Sequence, residues 1–386
     1  MTRTRTQRKP RAPRTRNTSK SIVAVGPMDT TIALVVGILV LIGVVAIFTS
    51  SHALAARLER FNEDPFHFLR LTLIWAALGF VAMFALSNFN YQIIRIAAYP
   101  IFLVALILLI MVMGVGIATN GAQRWLNLFG IQFQPSEAAK AALIFALARV
   151  LSDYSTFFNK WKGFFISCAA VGATAGLVAF GSFSSSLIIA AIGFGIIFVA
   201  SPHIWRFVLA GLAAAGAFAA FLVFGEPFRI ARVAAWRDPW AYARHGGYQI
   251  INSLYAIASG GLFGLGIAQS RQVSFIPEPY NDMIFAIIVE EFGFMGAALV
   301  IVLFAIFIWR GIRVAMNAPD TFSSLTAMGI VFAIAVQTFI NIAVVTNSIP
   351  NTGVTLPFIS YGGTSLLVKM SMVGVLLNIS RYSKVQ

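Results

Sequence analysis

One cysteine, four histidines and 13 acidic residues are scattered through 386 positions, so the chain is poor in thiol, metal-binding and acid–base side chains. Cys168 stands alone in an apolar segment, which excludes a disulfide framework and a thiolate metal site. His52, His67, His203 and His245 show no H-x-x-x-H spacing, which argues against a metal hydrolase. There is no Walker A sequence and no G-x-G-x-x-G in a strand–helix setting, so nothing marks a nucleotide site. Any donor substrate is then expected to be lipid-borne or to enter from outside. There is no internal repeat, no heptad pattern and no low-complexity stretch apart from the N-terminal tail. Charge is also scarce, at 11% of residues against 59% hydrophobic, and the mean hydropathy is +0.84. These values lie far outside the range of soluble domains and imply a polytopic membrane protein.

The net charge of +15 is unevenly spread. Residues 1–20, MTRTRTQRKPRAPRTRNTSK, hold eight Lys/Arg and no acid. The segment reads as a disordered cytosolic tail, about residues 1–28, that fixes topology and touches anionic lipid. A nucleic-acid arm would need aromatic interleaving or a fold behind it, and neither is present, so no nucleic-acid partner is expected. A cleaved signal peptide fits poorly, because the first apolar run is of spanning length and no A-x-A site follows it.

A bilayer core takes about 20 apolar residues as helix. The sequence predicts an all-α bundle of ten transmembrane helices, at about 29–51, 68–88, 94–117, 136–151, 162–181, 183–201, 204–225, 282–309, 321–346 and 358–380. In the fourth, Ser136 is the expected cap and Pro135 ends the preceding chain. With both termini cytosolic, Arg95, Arg149, Arg206, Arg310, Arg313 and Arg381 fall inside, as the positive-inside rule asks. A large loop, 226–281, then lies outside between helices 7 and 8. Within it, GYQIINSLYAIASGGLFGLGIA (247–268) is nearly apolar enough to span. Its four glycines weaken a helix, and Gln249, Asn252 and Ser253 cluster at one end. It reads as helical pieces dipping into the outer interface under protein cover.

The conspicuous polar residues gather on that same side. Arg124 lies between the third and fourth spans, Glu137 and Lys140 open the fourth, and Arg232, Arg237 and Asp238 come from the large loop. Glu278 and Asp282 follow, in IPEPYNDMIFAIIVEEFG (276–293). Asp282 can be read as the N-cap of the eighth span, and Glu137 with Lys140 as a structural ion pair. Asp282 can also be read as a general base at a membrane surface, with arginines placed to hold phosphate. Glu290 and Glu291 lie roughly two turns further in, where carboxylates face the bundle or a cavity. Lys140 or Lys369, the latter an unusual lysine in the last span, are the partners expected for them.

The stretches NGAQRWLNLFGIQFQPSEAAK (120–140), RDPW (237–240), GGYQ…FGFMG (246–296), IPNTGVTLPFISYGGTSLL (349–367) and NISRY (378–382) are long, ordered and correctly spaced. In these the chain resembles the SEDS proteins (shape, elongation, division and sporulation), the group containing FtsW, RodA and SpoVE, over about residues 29–382. The resemblance implies a peptidoglycan glycosyltransferase that polymerises lipid II on the outer face of the bacterial cytoplasmic membrane. It makes Asp282 the general base on the acceptor sugar 4-hydroxyl, with undecaprenyl diphosphate leaving and the configuration inverted. Arg124, Lys140, Arg232, Arg237 and Glu278 become candidates for substrate contacts. Glu137, Glu290, Glu291 and Lys369 become supporting groups. The resemblance implies a class B penicillin-binding protein transpeptidase and other division proteins as partners. No protein-held metal or cofactor is expected, a divalent cation at the diphosphate remaining open.

The basic tail, the PEP before Asp282 and the PFHFL before the second span look more like the FtsW/SpoVE branch, hence septal synthesis. The chain also departs from the family. Its acidic E-P-D-x-G-T turn is replaced by FGSFSSSL (180–187), D-F-I-F becomes DMIF, and Lys369 stands where Asn is usual. A non-catalytic division scaffold therefore stays open as an alternative, and so does a lipid II flippase, for which Glu290, Glu291 and Lys369 within the spans would speak.

Overall fold

The computed structural model describes residues 26–56, 63–119, 122–128, 130–154, 160–201, 227–244 and 246–383, with 203, 205–209 and 211. The basic tail and most of the expected seventh span, 204–225, lie outside the described residues. The helices are α1 (Thr30–Ala55), α2 (His67–Asn88), α3 (Tyr91–Val115), α4 (Pro135–Asp153), α5 (Trp161–Ala179) and α6 (Phe183–Ala200). They continue with α7 (Pro227–Arg237), α8 (Tyr248–Gly260), α9 (Ile284–Met316), α10 (Thr321–Val345) and α11 (Gly363–Tyr382). Among the described residues, all but α4, α7 and α8 are long and apolar enough to cross a membrane, giving eight candidate spans. α4 has the length to span, but it carries Glu137, Lys140, Arg149 and Asp153.

Bundle packing follows from apolar helices with small or branched faces. α2 lies along α11, α3 along α4, α5 along α6, and α1 and α10 flank α9. α10 and α11 are the most enclosed, and Ile330, Ile334, Val373 and Leu376 are fully buried. At the end of the bundle away from Asp282, polar ties close the seams. Asp29 caps α1 through the Ile32 N–H (3.1 Å) and pairs with Arg310 (2.7 Å), while its own N–H donates to Ser380 Oγ (2.9 Å).

Several expected boundaries are corrected. Ser136 is not the cap of α4. Pro135 takes the first helical position, where a missing N–H costs nothing, and Gln134 is the cap residue. α11 begins at Gly363 instead of near 358, because Phe358 sits at φ 65° and cannot continue a right-handed helix. The connection between α3 and α4 forms a three-stranded antiparallel sheet, β1 (Ile117–Thr119), β2 (Ala122–Leu128) and β3 (Ile131–Phe133), which periodicity did not foretell.

α8 has 13 residues, about 20 Å, too short to span. Gln249 near its start bonds Asp282, and Ser259 near its end bonds Glu290. α8 therefore runs parallel to the first turns of α9, and the chain must return through 261–281 to start α9. Within 247–268, read from sequence as helical pieces, the structure has one short helix, α8, followed by an irregular return. Its crossing with α9 is stitched backbone to backbone. Gly293 interrupts α9 at φ 66°, ψ −166°, which breaks the helical ladder. Leu265 and Gly266 donate to Glu290 O (2.9 Å) and Glu291 O (3.0 Å). Phe294 and Met295 donate to Gly261 O (2.9 Å) and Leu262 O (3.1 Å). Backbone groups freed in a membrane protein must be satisfied by protein in this way. A Cβ on Gly264 would come within 2.1 Å of Glu291 O, so the crossing requires glycine there.

Candidate functional site

Asp282 lies just before α9, half-buried, in a segment whose path is set by aromatic packing. Tyr280 packs tilted against Phe68 at 4.5 Å and edge-to-face with Tyr361 at 5.7 Å, and the Tyr361 N–H donates to Tyr280 O at 2.9 Å. The helix cap is Met283, with no side-chain cap bond, so the reading of Asp282 as the N-cap residue is corrected by one position. Asp282 Oδ1 accepts from Gln249 Nε2 at 3.3 Å, and the Asp282 carbonyl accepts from Asn341 Nδ2 at 2.7 Å. Burial pushes the carboxyl up to about 6, with the nearby Glu278 carboxylate adding to the rise and the Gln249 amide opposing it.

The basic groups converge unequally. Arg232 of α7 is held below the usual guanidinium range by desolvation and by the like charge of Arg124, while Asp282 opposes that shift. Arg124, Arg232 and Asp282 thus form one electrostatic neighbourhood, with Glu278 exposed at its edge. Arg237 is exposed at the end of α7. Trp236, between them in sequence, fastens α7 by donating Nε1 to Asn347 O at 3.0 Å.

Arg124, on β2, donates Nε to Gly181 O at 2.6 Å, in the turn where the expected acidic motif is absent. It lines a cavity of about 440 Å³ bounded also by Gln123, Gln134, Ser136, Ser182 and apolar residues of α3 and α5. Its lining of one cation, amides and hydroxyls beside aliphatic walls suits an anionic headgroup with a hydrocarbon tail. One turn further along α4 is a buried charge cluster. Lys140 Nζ donates to Glu137 Oε1 at 2.6 Å, and Lys369 Nζ donates to Ser365 Oγ at 2.7 Å.

The expected pairing of Glu290 or Glu291 with Lys140 or Lys369 is therefore corrected. The lysines are engaged by Glu137 and Ser365. Glu290 accepts instead from Ser270 Oγ (2.5 Å), Ser259 Oγ (3.3 Å) and the Arg271 N–H (3.0 Å), and it also accepts from the Gln272 N–H (3.3 Å). Glu291, buried, lies near Thr49 and the Ala268 backbone without a well-formed hydrogen bond to either. Among the described residues no three of His, Cys, Asp and Glu are grouped as a metal site.

A family model described as cell cycle protein, FtsW/RodA/SpoVE, matches residues 29–385. The chain belongs to this family. It is 39% identical over 361 residues to stage V sporulation protein E of Bacillus subtilis, covering 92% of this chain and 98% of that one. It is 36% identical to the protein named "Probable peptidoglycan glycosyltransferase FtsW" of Geobacter sp. (strain M18), covering 91% and 96%. Its fold matches a chain from a solved peptidoglycan synthase complex, described as coordinating polymerization and crosslinking. That match has TM-score 0.77 at 26% identity and covers 92% of this chain and 98% of that one. Rod shape determining protein RodA of Thermus thermophilus shares the fold at TM-score 0.66 and 24% identity, over 93% and 98%. The chain is thus a multi-pass membrane protein of a cell-wall synthesis and cell-cycle family.

Sequence reasoning missed Gln249, Asn341 and Asn351 as parts of the site. Gln249 was visible only as a polar residue out of place in an apolar run. Asn341 is a fully buried amide inside a span, which is itself a signal that it holds something.

Proposed function

We propose that the protein is a peptidoglycan glycosyltransferase that polymerises lipid II at the outer face of the bacterial cytoplasmic membrane, with both termini cytosolic. The observation that carries this reading is Asp282. Its carboxylate lies at the end of a span, is pushed up to about 6, and is sensed by Arg232, which also senses Arg124 on the wall of the 440 Å³ cavity. A base needs a pKa near the working pH, and an arginine pair suits a diphosphate. In the reaction, the acceptor sugar 4-hydroxyl gives its proton to Asp282 as its oxygen bonds to the donor's anomeric carbon. The bond to undecaprenyl diphosphate breaks on the opposite face, so the configuration inverts. Arg124 and Arg232 hold the donor phosphates, the exposed Arg237 and Glu278 contact incoming substrate, and Lys140 acts through the buried cluster with Glu137 and Lys369. A septal role fits the similarity to proteins named FtsW, and a class B penicillin-binding protein partner fits the match to a chain of a complex that coordinates polymerization and crosslinking.

The deciding experiment is glycan polymerisation from lipid II by wild type and Asp282→Asn side by side, with the transpeptidase partner present. Loss of product with the fold retained is expected. Normal polymerisation by the Asn variant would sink the assignment. The break of α9 at Gly293 favours a second reading, lipid flipping, since discontinuous helices are common in transporters. Flipping of labelled lipid II in vesicles by the polymerisation-dead variant would favour it.

A further inference from the structure

The carboxylate on which the proposed reaction depends is fixed by uncharged amides from three separate elements. Gln249 of α8 donates Nε2 to Asp282 Oδ1 at 3.3 Å. A glutamine amide with no other tie can turn over and present its oxygen, which would repel a carboxylate. Asn351, in the extended segment between α10 and α11, removes that freedom. It donates Nδ2 to Gln249 Oε1 at 3.2 Å, so the amide oxygen is engaged and the NH₂ end faces Asp282. Asn341 of α10 holds the main chain at the same point, donating Nδ2 to Asp282 O and to Val354 O, each at 2.7 Å. Gln249 cannot recede either. α8 is pinned at its far end by Ser259 on Glu290 and along its side by Ser253 Oγ on Val345 O at 2.9 Å.

We propose that Gln249, oriented by Asn351, is a positioning residue for Asp282, holding one carboxylate oxygen in the ionised form and leaving the other to receive the acceptor's proton. The proposal rests on Asp282 being the general base. The amide itself exchanges no proton, which moves only from the sugar hydroxyl to the free carboxylate oxygen. The charged groups facing Asp282 are Glu278, on its own segment, and Arg232, from α7, and they act in opposite directions. From α8, α10 and the segment after α10, the facing groups are the neutral Gln249, Asn341 and Asn351.

The test is the pH profile of polymerisation initial rates by the full-length protein with its transpeptidase partner, using purified lipid II. A hydrogen bond to a charged group is worth enough that Gln249→Leu is expected to lower kcat about 10- to 100-fold. KM should stay within about twofold, and the acid limb should move to higher pH, because the ionised form loses a donor. Gln249→Glu keeps the shape but sets a second carboxylate against the first. Its acid limb should move further, by roughly one pH unit or more. Asn351→Leu frees the Gln249 amide to turn, so a shift in the same direction with a kcat loss of about three- to tenfold is expected. A merely structural Gln249 would lower rate and thermal stability equally at every pH. Unmoved acid limbs in Gln249→Glu and Asn351→Leu would overturn the proposal, even where Gln249→Leu fails to fold. Normal activity in Asp282→Asn is a different result, which overturns the base assignment itself.

Discussion

Asp282 and Glu290 stand about two turns apart on one stretch of chain, and their carboxylates are treated in opposite ways. Glu290 is fully buried and takes two serine hydroxyls and two backbone N–H groups. Asp282 is half-buried, takes one neutral side-chain donor and faces Glu278, and its carboxyl is pushed up to about 6. A carboxylate bonded on all sides is a fastener. One that is desolvated and held by a single side-chain donor remains available to take a proton. The same division separates Arg124, which lines the cavity, and Arg232, which senses Arg124, from Lys140 and Lys369, which are enclosed with Glu137.

The sharpest way to break this comparison is to neutralise the reactive member. Asp282→Asn is expected to lower polymerisation about 10²- to 10⁴-fold, the range of a lost general base, without loss of fold. Neutralising a fastener should do the reverse. Glu137→Gln leaves Lys140 and Lys369 buried with no carboxylate, at a cost of about 3–5 kcal/mol in unfolding stability. Adding Lys140→Met should recover part of that loss in a denaturation series. A Glu137→Gln variant as stable as wild type would mean that the cluster is not held by its charge.

Glu290→Ala comes next. It strands the Arg271 and Gln272 N–H groups and should cost about 3 kcal/mol. The readout is local: faster hydrogen exchange at Leu265 and Gly266 and proteolytic nicking within 261–276. Unchanged exchange there would show that the Gly293 stitch holds the segment without Glu290.

A smaller effect follows from linkage. The folded-state pKa of Asp282 lies above its unfolded value, so the native state binds the extra proton between about pH 4 and 6. That contribution is fully present below about pH 4 and lost as pH rises through about 6. Asp282→Asn should therefore be more stable than wild type at pH 7.5, by no more than about 2 kcal/mol for a partly solvated group, and equal to it at pH 4. A variant less stable at pH 7.5 would contradict the desolvation account. The same titration predicts that wild-type activity falls as pH drops through about 6.

The spans were legible because a bilayer demands long apolar runs, and α2, α5, α6 and α10 begin within a residue of their expected starts. Asp282, Arg124 and Arg232 were legible as charges that apolar surroundings must explain. The break at Gly293 was not, because one glycine in an apolar helix is ordinary. What gives it meaning is the return of 261–266 across it, a contact far away in sequence. α11 was placed too early because Leu356, Phe358 and Ile359 are as buried as any helix residue, so hydropathy reads their irregular backbone as span. The partners of Glu290 were missed for a related reason: two are backbone N–H groups, which carry no residue type to recognise.

The smallest expected effect separates the phosphate side of the site from the base side. Trp236 and Asn347 hold each other reciprocally, indole N–H to Asn347 O at 3.0 Å and Asn347 Nδ2 to Trp236 O at 3.4 Å. Asn347 sits at φ 55°, a conformation that asparagine tolerates better than most residues. Arg232 precedes Trp236 by four positions, so both lie on one face of α7, and the tie that holds Trp236 also places Arg232. Trp236→Phe keeps the ring packing and removes only the N–H, at about 1 kcal/mol. Asp282 keeps Gln249, Asn341 and Asn351 in this variant. KM for lipid II should therefore rise about three- to fivefold while kcat and its pH profile stay in place. A kcat loss as large as that of Gln249→Leu would mean that α7 and α8 act as one body, and that phosphate binding and base placement cannot be separated.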